Sequence, residues 1–430
     1  MTSAQAQLIA ILKTKGTGPT MSKSLTKEDF PLIEKLFRSP EAHLTTKATL
    51  LTALLTLPPT DIEALWIQKL AKQPQRYLPA ELCPLFSQVP PEPGFKHKPM
   101  LNFVRQVISH RSLNLEDCSQ AMGYLTNRSC PDYLKAAFLE GERLKRETIE
   151  ENKAFLDFLW QNSSHTRAKV PFLIDLSNGY DGFNRTLYLT PFTAVTLAAA
   201  GFPTVMHGMD EISPKNGVNP YKLLKLAEKN PLKKVSEVVK DIENPEISWG
   251  YVDQSEFSPT LYALKPLRMA MIKRPFLATL EKLLQPVSAE ETYLVTSYTH
   301  PPYKHTLTAL LSDSSSWKKA LILRGAEGSI QLSLDRRTPW TCSSNSDFVK
   351  PEEYDLQETD YPGSTSLEDS LLEGISALGG NLGYARDAIL YQGSVILEKL
   401  SLCSRSESIL LLKNAIDSEK ALATWNKGMQ

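Results

Sequence analysis

The stretch from Pro171 to His207, PFLIDLSNGYDGFNRTLYLTPFTAVTLAAAGFPTVMH, decides the fold. It opens on FLIDL, an apolar run typical of a buried strand, and continues through a turn rich in glycine and asparagine into the helical pattern TAVTLAAA. It ends on a second apolar run, FPTVMH. A strand, a helix and a second strand in this order predict a βαβ unit, which contains two parallel strands.

Further apolar runs extend this pattern towards the C-terminus. ETYLVTSY (291–298), KKALILRG (318–325) and SIQLSLD (329–335) are predicted strands, with helical patterns at 221–229 and 306–311. From residue 366 the apolar spacing becomes helical again. We therefore predict an α/β domain over residues 169–430, with a mostly parallel central sheet and C-terminal helices.

The N-terminal part has a different organisation, because its apolar residues recur at helical spacing. A shift of 88 residues places residues 60–63, TDIE, on residues 148–151, TIEE. Each Thr-x-x-Glu motif is typical of a capping box at a helix start, a structural role that we favour over a catalytic one. We predict an extra helical copy over 1–87, a proline-rich linker over 88–99 and a second helical copy over 100–168.

Composition and charge exclude several classes of protein. The chain has 430 residues, of which 42% are hydrophobic, so it can bury a sizeable core. Its 48 basic and 48 acidic residues give a net charge of +0, which provides no global attraction to nucleic acid or acidic lipid. The five cysteines form no Cys-x-x-Cys pair, and no apolar stretch is long enough to span a bilayer. We expect a soluble, cytoplasmic protein without a membrane partner.

Two loops follow predicted strands that would lie side by side. The first, SNGYDGFN (177–184), offers glycine amides to an anion and a carboxylate at Asp181. The second, HGMDEISPKNG (207–217), carries a hydroxyl at Ser213 and a cation at Lys215. Ligands of parallel α/β sheets bind beyond the carboxyl ends of the strands, and phosphate oxygens accept from hydroxyl and ammonium groups. The two loops therefore predict a phosphate site.

Taken together, residues 177–217 resemble the phosphoribosyl diphosphate site of the anthranilate phosphoribosyltransferases, which belong to glycosyltransferase family 3. In that family a Gly-Thr-Gly-Gly-Asp loop, an Asn-x-Ser-Thr turn, a Lys-His-Gly-Asn strand end and a Ser-x-Lys-x-Gly loop occur in this order. Residues 101–165, 257–274 and 380–419 resemble further segments of it. The resemblance implies a nucleoside phosphorylase/phosphoribosyltransferase-type α/β domain, a fold related to tryptophan biosynthesis, and a homodimer formed through the helical domain.

The resemblance also implies site residues. Those matching the ligands of phosphoribosyl diphosphate, or of a related phosphorylated sugar, are Gly179, Asp181, Thr190, Ser213, Lys215 and Gly217. Those matching the acceptor side are His207, Gly208 and Arg268, of which Arg268 is implied to hold a carboxylate. For Mg²⁺ the candidates are Ser213 and Glu327. No catalytic nucleophile is assigned, because the family's transition state is oxocarbenium-like and the protein mainly positions the reactants.

Several positions depart from the family pattern. The replacements are Tyr188 for asparagine, Pro191 for threonine, Met206 for lysine, Met209 for asparagine, and Ile330-Gln331 for the Asp-Glu pair of the second magnesium. A charged hydrogen bond contributes about 1.5–3 kcal/mol, so these losses argue against standard anthranilate transfer. The chain is closer to a divergent, anthranilate phosphoribosyltransferase-like branch, in which the same fold lacks the standard activity and some members bind nucleic acid.

Two functions remain open from the sequence. The first is phosphoribosyl transfer to a nitrogen acceptor, for which an aromatic carboxylate and a base are both possible. The second is non-catalytic nucleic-acid binding through basic segments, which comprise Lys222, Lys225, Lys229, Lys233 and Lys234, and then Lys265, Arg268, Lys273 and Arg274. Because lysines on a helix usually form only a solvated face, we rank nucleic-acid binding second.

Overall fold

The computed structural model describes residues 2–312, 314–361 and 363–430. Helices form its N-terminal part. Their bounds are α1 Ser3–Lys15, α2 Asp29–Arg38, α3 Leu44–Thr56, α4 Asp61–Lys72, α5 Pro74–Tyr77, α6 Lys98–Ile108, α7 Leu115–Thr126, α8 Asp132–Lys145 and α9 Ile149–Gln161, with a 3₁₀ helix at Ala80–Leu85. The predicted linker carries no helix or strand before α6 begins.

Strands and helices alternate in the rest of the chain. The strands are β1 Thr166–Arg167, β2 Phe172–Leu176, β3 Thr204–Gly208, β4 Trp249–Asp253, β5 Val287–Ser288, β6 Glu291–Ser297, β7 Lys319–Leu323, β8 Thr338–Cys342 and β9 Asn345–Val349. The helices are α10 Thr190–Ala199, α11 Pro220–Leu226, α12 Val235–Glu243, α13 Gln254–Phe257, α14 Pro259–Tyr262, α15 Lys265–Met271, α16 Leu277–Leu280, α17 Pro301–Ser312, α18 Leu367–Leu378, α19 Tyr384–Lys399, α20 Arg405–Asp417 and α21 Lys420–Lys427. Short 3₁₀ helices lie at Glu281–Leu283, Ala326–Gly328 and Pro351–Tyr354.

The chain forms two compact units. The helical unit comprises residues 1–158 and 263–277, and the α/β unit comprises residues 159–262 and 278–430. Residues 263–277, which the sequence placed in the α/β domain, thus belong to the helical unit. The reason is packing: Phe276 stacks on Phe155 with ring centroids 4.4 Å apart, and Lys273 donates to the carbonyl of Leu12 at 2.9 Å.

The central sheet of the α/β unit confirms the predicted fold class. Its strand order is β4-β3-β2-β6-β7-β8-β9, and the first five strands are parallel. The last two, β8 and β9, form an antiparallel hairpin at the edge. All ten residues of α10 are buried, because this helix packs on the sheet strand β3 and on the C-terminal helices α19 and α21. No helix in the described ranges is long and apolar enough to cross a membrane.

One predicted strand of the central sheet is wrong, and three of its strands, β4 and the two of the hairpin, were missed. The run SIQLSLD (329–335) forms bends, irregular chain and a turn, and it pairs with no strand. The side-chain amide of Gln392 takes the place of a neighbouring strand, because it donates to the carbonyl of Ile330 at 3.2 Å and accepts from the N–H of Leu332 at 3.3 Å. The alternation of apolar residues therefore reflects burial against α19 rather than sheet pairing.

The two helical copies meet at equivalent helices. A shift of 88 residues maps α3 onto α8, and these two helices pack on each other and on α6 at the centre of the helical unit. Close packing also explains Gly141, since a Cβ there would lie 2.6 Å from a methyl group of Val107.

Both predicted capping boxes are confirmed, and their glutamates do more than cap. Glu63 accepts from the N–H groups of Thr60 and Leu25 at 2.9 and 2.8 Å and pairs with Lys15 at 2.7 Å, with both charged side chains almost fully buried. In the second copy, Glu151 accepts in the same way from Thr148 and Leu113 at 2.7 and 2.8 Å, and pairs with Lys145 at 2.6 Å. Each buried carboxylate thus fastens a helix start to the segment that precedes the second helix of its copy.

We expect Glu63→Ala to lower the free energy of unfolding of the helical unit by about 3–5 kcal/mol, because it leaves the buried Lys15 ammonium without its counter-charge. Urea unfolding, with hydrogen exchange followed in peptides of α1 to α4, measures the change. Glu291→Ala is the control, since the Glu291–Lys318 pair is exposed and exposed pairs contribute little. Equal effects of the two substitutions would contradict the prediction.

The same carboxylate predicts a pH dependence. Burial raises the pKa of Glu63, but the N–H of Leu25, the Lys15 ammonium and the N–H of Thr60 outweigh burial and hold the pKa below its ordinary 4.5. A lowered folded-state pKa stabilises the protein above 4.5, and this contribution is lost as the pH falls further. The difference in unfolding free energy between the wild type and Glu63→Gln should therefore shrink below that pH, whereas a constant difference would count against this assignment.

Candidate phosphate site

The predicted loops lie where the sheet places them. Strands β2 and β3 are parallel neighbours with Leu176 opposite Met206, so the loops that follow them start at the same edge. The loops are joined by two hydrogen bonds between the backbones of Phe183 and Val218, each 2.8 Å long, and by one from the N–H of Gly217 to the carbonyl of Asp181 at 2.9 Å. The structure thus brings the Asp181 and Lys215 loops together.

Two glycines are required by this close approach. A Cβ at Gly217 would lie 2.4 Å from the carbonyl oxygen of Phe183, and a Cβ at Gly182 would lie 2.4 Å from that of Val218. Gly182 also has a φ of +76°, in the left-handed region that favours glycine. Gly217, predicted to approach phosphate, has its close contact with the neighbouring loop.

Lys215, the predicted phosphate cation, is paired with Glu327. Their charged atoms lie 2.9 Å apart, and the Lys215 ammonium also donates to the carbonyl of Gly182 at 3.1 Å. Glu327 accepts from the backbone N–H groups of Asn184 and Arg185 at 3.0 and 2.8 Å. Burial raises the pKa of Glu327, but Lys215 and these N–H groups outweigh burial and hold it below its usual value.

Gln331 fastens the following part of the first loop. Its amide donates to the carbonyl of Leu187 at 2.6 Å and accepts from the N–H of Leu189 at 2.7 Å. The hydroxyl of Thr190, a predicted phosphate ligand, is fully buried and donates to the same amide at 3.4 Å. Tyr188 fills the adjacent space, its ring 4.7 Å from that of Phe183, and burial raises the pKa of its hydroxyl. Residues 326–331 thus form a clamp on residues 183–190, in which the side chains of Glu327 and Gln331 hydrogen-bond to the backbone.

His207 belongs to a buried polar chain. Its Nδ1 is hydrogen-bonded to the hydroxyl of Tyr180, and its Nε2 lies 3.3 Å from a carboxylate oxygen of Asp175. The Tyr180 hydroxyl also donates to the carbonyl of Glu281 at 3.2 Å. Gly208 follows on β3, where a Cβ would lie 3.2 Å from the hydroxyl of Tyr251. Both ring nitrogens of His207 therefore face protein partners, and the ring is 2% exposed.

The partners of His207 were not predicted from the sequence. Asp175 is a charged residue inside the apolar strand FLIDL, and this signal was available, because a carboxylate within a buried strand needs a polar partner. Asp253 at the end of β4 is similar: it accepts from the Tyr251 hydroxyl at 3.2 Å, and burial raises its pKa. Tyr180 gave no signal, since a tyrosine in a glycine-rich turn has many possible contacts.

The remaining predicted site residues have different surroundings. Gly179 lies in the loop after β2, and Ser213 is buried beside a cis peptide bond to Pro214. Arg268 lies on α15 in the helical unit and is 2% exposed.

The residues suggested for magnesium do not fit a metal ion as they are arranged. The carboxylate of Glu327 faces an ammonium and two N–H groups, which are hydrogen-bond donors and not metal ligands. Within residues 2–312, 314–361 and 363–430, no group of three or more His, Cys, Asp and Glu side chains is placed to hold a metal.

The chain is similar to known proteins at low sequence identity. No family model matches the chain. An uncharacterised protein of Aquifex aeolicus is 30% identical over 260 residues, which span 59% of this chain and 74% of that protein. The anthranilate phosphoribosyltransferase of Thermomicrobium roseum is 25% identical over 74% of this chain and 93% of its own length.

Solved structures give the same fold. The anthranilate phosphoribosyltransferase of Thermus thermophilus superposes with a TM-score of 0.62 at 18% identity, covering 75% of this chain and 97% of that one. The Saccharomyces cerevisiae enzyme in complex with phosphoribosyl diphosphate and magnesium gives a TM-score of 0.62 at 15% identity, covering 78% and 98%.

The fold is that of the anthranilate phosphoribosyltransferases, with an α/β unit and a helical unit. Among known proteins the chain resembles the anthranilate phosphoribosyltransferases, because sequence relatives at 22% and 25% identity carry that name and solved structures share the fold.

We expect Gly217→Ala to lower the free energy of unfolding by about 1–3 kcal/mol, because the added methyl group collides with backbone atoms of Phe183 and separates the two loops. Thermal melting of the full chain measures the change. The control is Gly123→Ala in α7, where a Cβ meets no atom within 4 Å and alanine favours the helix. Unchanged melting of Gly217→Ala would show that the loops can separate without cost.

Proposed function

We propose that this protein binds phosphoribosyl diphosphate, or a related phosphorylated sugar, between the loops after β2 and β3, and transfers its phosphoribosyl group to a nitrogen acceptor. One observation carries the proposal. The N–H groups of Asn184 and Arg185 and the ammonium of Lys215 converge on one anion, which in this structure is the Glu327 carboxylate. The name of the Thermomicrobium relative and the ligands of the yeast neighbour support the same class of reaction.

Phosphoribosyl transfer requires little covalent participation by the protein. The bond from the anomeric carbon to the diphosphate breaks while a nitrogen lone pair forms the new bond, and the diphosphate leaves with the electron pair. Backbone N–H groups and an ammonium stabilise the charge that develops on the departing oxygens. No serine or cysteine nucleophile is required, and the proposed contribution of Lys215 is electrostatic.

The acceptor side is more apolar than the family pattern implies. Met206 and Met209 are both buried, and so is His207, whose Nδ1 is hydrogen-bonded to Tyr180 and whose Nε2 faces Asp175 at 3.3 Å. We therefore propose an acceptor other than anthranilate, with an aromatic carboxylate and a base both remaining open. The role of Arg268 in holding an acid stays a prediction.

Magnesium also stays a prediction. The yeast neighbour contains Mg²⁺ together with phosphoribosyl diphosphate, whereas Glu327 of this chain faces hydrogen-bond donors and Gln331 carries no charge. The assignment of Ser213 and Glu327 to a metal is tested by titrating the protein with Mg²⁺ in the absence of the sugar diphosphate.

The nucleic-acid hypothesis receives less support from the side chains. Lys222 donates to the carbonyl of Asn216 at 2.7 Å, Lys229 donates to that of Gly428 at 2.8 Å, and Lys233 pairs with Asp241 at 2.6 Å. In the second basic segment Arg268 and Lys273 are buried. Several of these cations thus serve intramolecular contacts, and a salt-dependent affinity for DNA or RNA would test the remainder.

The homodimer and the cytoplasmic location are likewise predictions. The helical unit already contains two copies whose equivalent helices, α3 and α8, pack on each other. Light scattering of the purified chain distinguishes a monomer of 48.1 kDa from a dimer of twice that mass.

We expect calorimetric titration of the wild type with phosphoribosyl diphosphate and Mg²⁺ to show saturable binding. Lys215→Ala should weaken it by about 10- to 100-fold, because one charge-assisted contact of about 1.5–3 kcal/mol is lost. Lys225→Ala, which removes an exposed lysine of α11, is the matched control and should bind as the wild type does. Absence of binding by the wild type at millimolar ligand would rule out the transferase and make nucleic acid the next ligand to test.

A further inference from the structure

The side chain of Glu327 has the contacts that a bound phosphate would have. One of its carboxylate oxygens accepts from two consecutive backbone N–H groups, at Asn184 and Arg185, and the other lies 2.9 Å from the Lys215 ammonium. The side chain is 4% exposed, so the anion is enclosed rather than at the surface. Consecutive N–H groups and a lysine ammonium are the donors with which proteins bind phosphate oxygens.

The backbone around Glu327 holds the carboxylate in this position. Glu327 has a φ of 53°, in the left-handed region, inside the turn Ala326–Gly328. A Cβ at Gly325 would lie 2.1 Å from the carbonyl oxygen of Gln331, and one at Gly328 would lie 2.5 Å from the hydroxyl of Thr299. The turn is therefore closely packed, and its conformation directs the carboxylate at the two N–H groups.

We propose that Glu327 is a resident anion that occupies a phosphate subsite of this protein, and that a phosphate group of the ligand binds there by displacing it. The inference rests on the proposed function, since it specifies how the same site is regulated. Carboxylate and phosphate oxygens compete for the same donors, so the wild type binds phosphate only in the fraction of molecules from which Glu327 has moved away.

Displacement of the Glu327 carboxylate would release residues 184 and 185 of the loop after β2 and leave residues 187 and 189 fixed. The contacts of Glu327 hold residues 184 and 185, whereas Gln331 separately holds residues 187 and 189. Arg185 is 79% exposed on its side chain, and its Nε lies 4.0 Å from the Glu327 carboxylate. This guanidinium is therefore available to follow an incoming anion. Ligand entry and movement of residues 183–185 are accordingly coupled.

The gain in phosphate affinity expected on removal of Glu327 follows from competition between its carboxylate and phosphate. When the competent state is populated in a fraction of molecules, the apparent dissociation constant rises by the inverse of that fraction. An enclosed ion pair with two further hydrogen bonds keeps the open fraction small. We expect removal of the carboxylate to tighten phosphate binding by about tenfold or more.

The test is calorimetric titration with inorganic diphosphate, and separately with inorganic phosphate, without a metal. The proteins are the wild type, Glu327→Ala, Glu327→Gln and the double variant Glu327→Ala/Lys215→Ala. Glu290→Ala is the control, because this exposed glutamate precedes β6 at the opposite end of the sheet and its removal changes the net charge equally. Thermal melting verifies folding, and Glu327→Gln carries the test if the alanine variant fails to fold, since glutamine keeps an acceptor for the two N–H groups.

The expected result is tighter binding by both single variants at Glu327, unchanged binding by Glu290→Ala, and loss of the gain in the double variant. Equal or weaker binding by Glu327→Ala and Glu327→Gln than by the wild type overturns the inference, as does an absence of binding by folded variants. The proposed function fails separately, when the wild type does not bind phosphoribosyl diphosphate. A gain of inorganic diphosphate binding in the Glu327 variants would then still identify an occupied anion site.

Discussion

The contacts between residues 326–331 and residues 183–190 are the constraint on which the candidate site depends. Glu327 and Gln331 together accept from or donate to the backbone at residues 184, 185, 187 and 189. The segment after β2 is long and contains Gly179 and Gly182, so it has no regular structure of its own to hold it. Buried backbone groups without partners are costly, and Gln331 satisfies those at residues 187 and 189. The geometry of Lys215 and of the N–H groups around it follows from that clamp.

The departures from the family pattern acquire a common explanation in these contacts. Gln331 stands at a position where the family pattern has a magnesium ligand, and here it ties down the loop. Tyr188 stands in place of an asparagine and packs on Phe183. Polar contacts that the family would make to a ligand are thus replaced by contacts within the chain. The donors for an anion nevertheless persist, because the N–H groups and Lys215 remain directed at one place.

The helical unit contains two equivalent buried glutamates, one in each copy, that cap a helix and pair with a lysine. A buried glutamate at the start of α4 and of α9 accepts from its own capping threonine and from a leucine N–H, and is neutralised by a buried lysine. The lysines differ in origin, since Lys15 ends α1 whereas Lys145 ends α8. The carboxylates are therefore set by the repeated sequence, and the counter-charges by the packing of each copy.

The sequence by itself determined what depends on neighbouring residues. Apolar periodicity predicted four of the five parallel strands, all but β4, and the Thr-x-x-Glu spacing predicted both capping boxes, because strands, helices and caps arise from interactions over a few residues. The order of the glycine-rich and lysine-containing loops predicted that the two loops meet at one edge of the sheet, and the structure brings them together there.

Tertiary structure decided what depends on distant residues. It made SIQLSLD an irregular segment held by Gln392, joined residues 263–277 to the helical unit, and paired Lys215 with a glutamate 112 positions away. Such pairings are decided by the whole chain, since the local sequence around Lys215 is equally compatible with a free cation and with a neutralised one. Whether that lysine faces a ligand or its own protein is therefore a property of the packed structure.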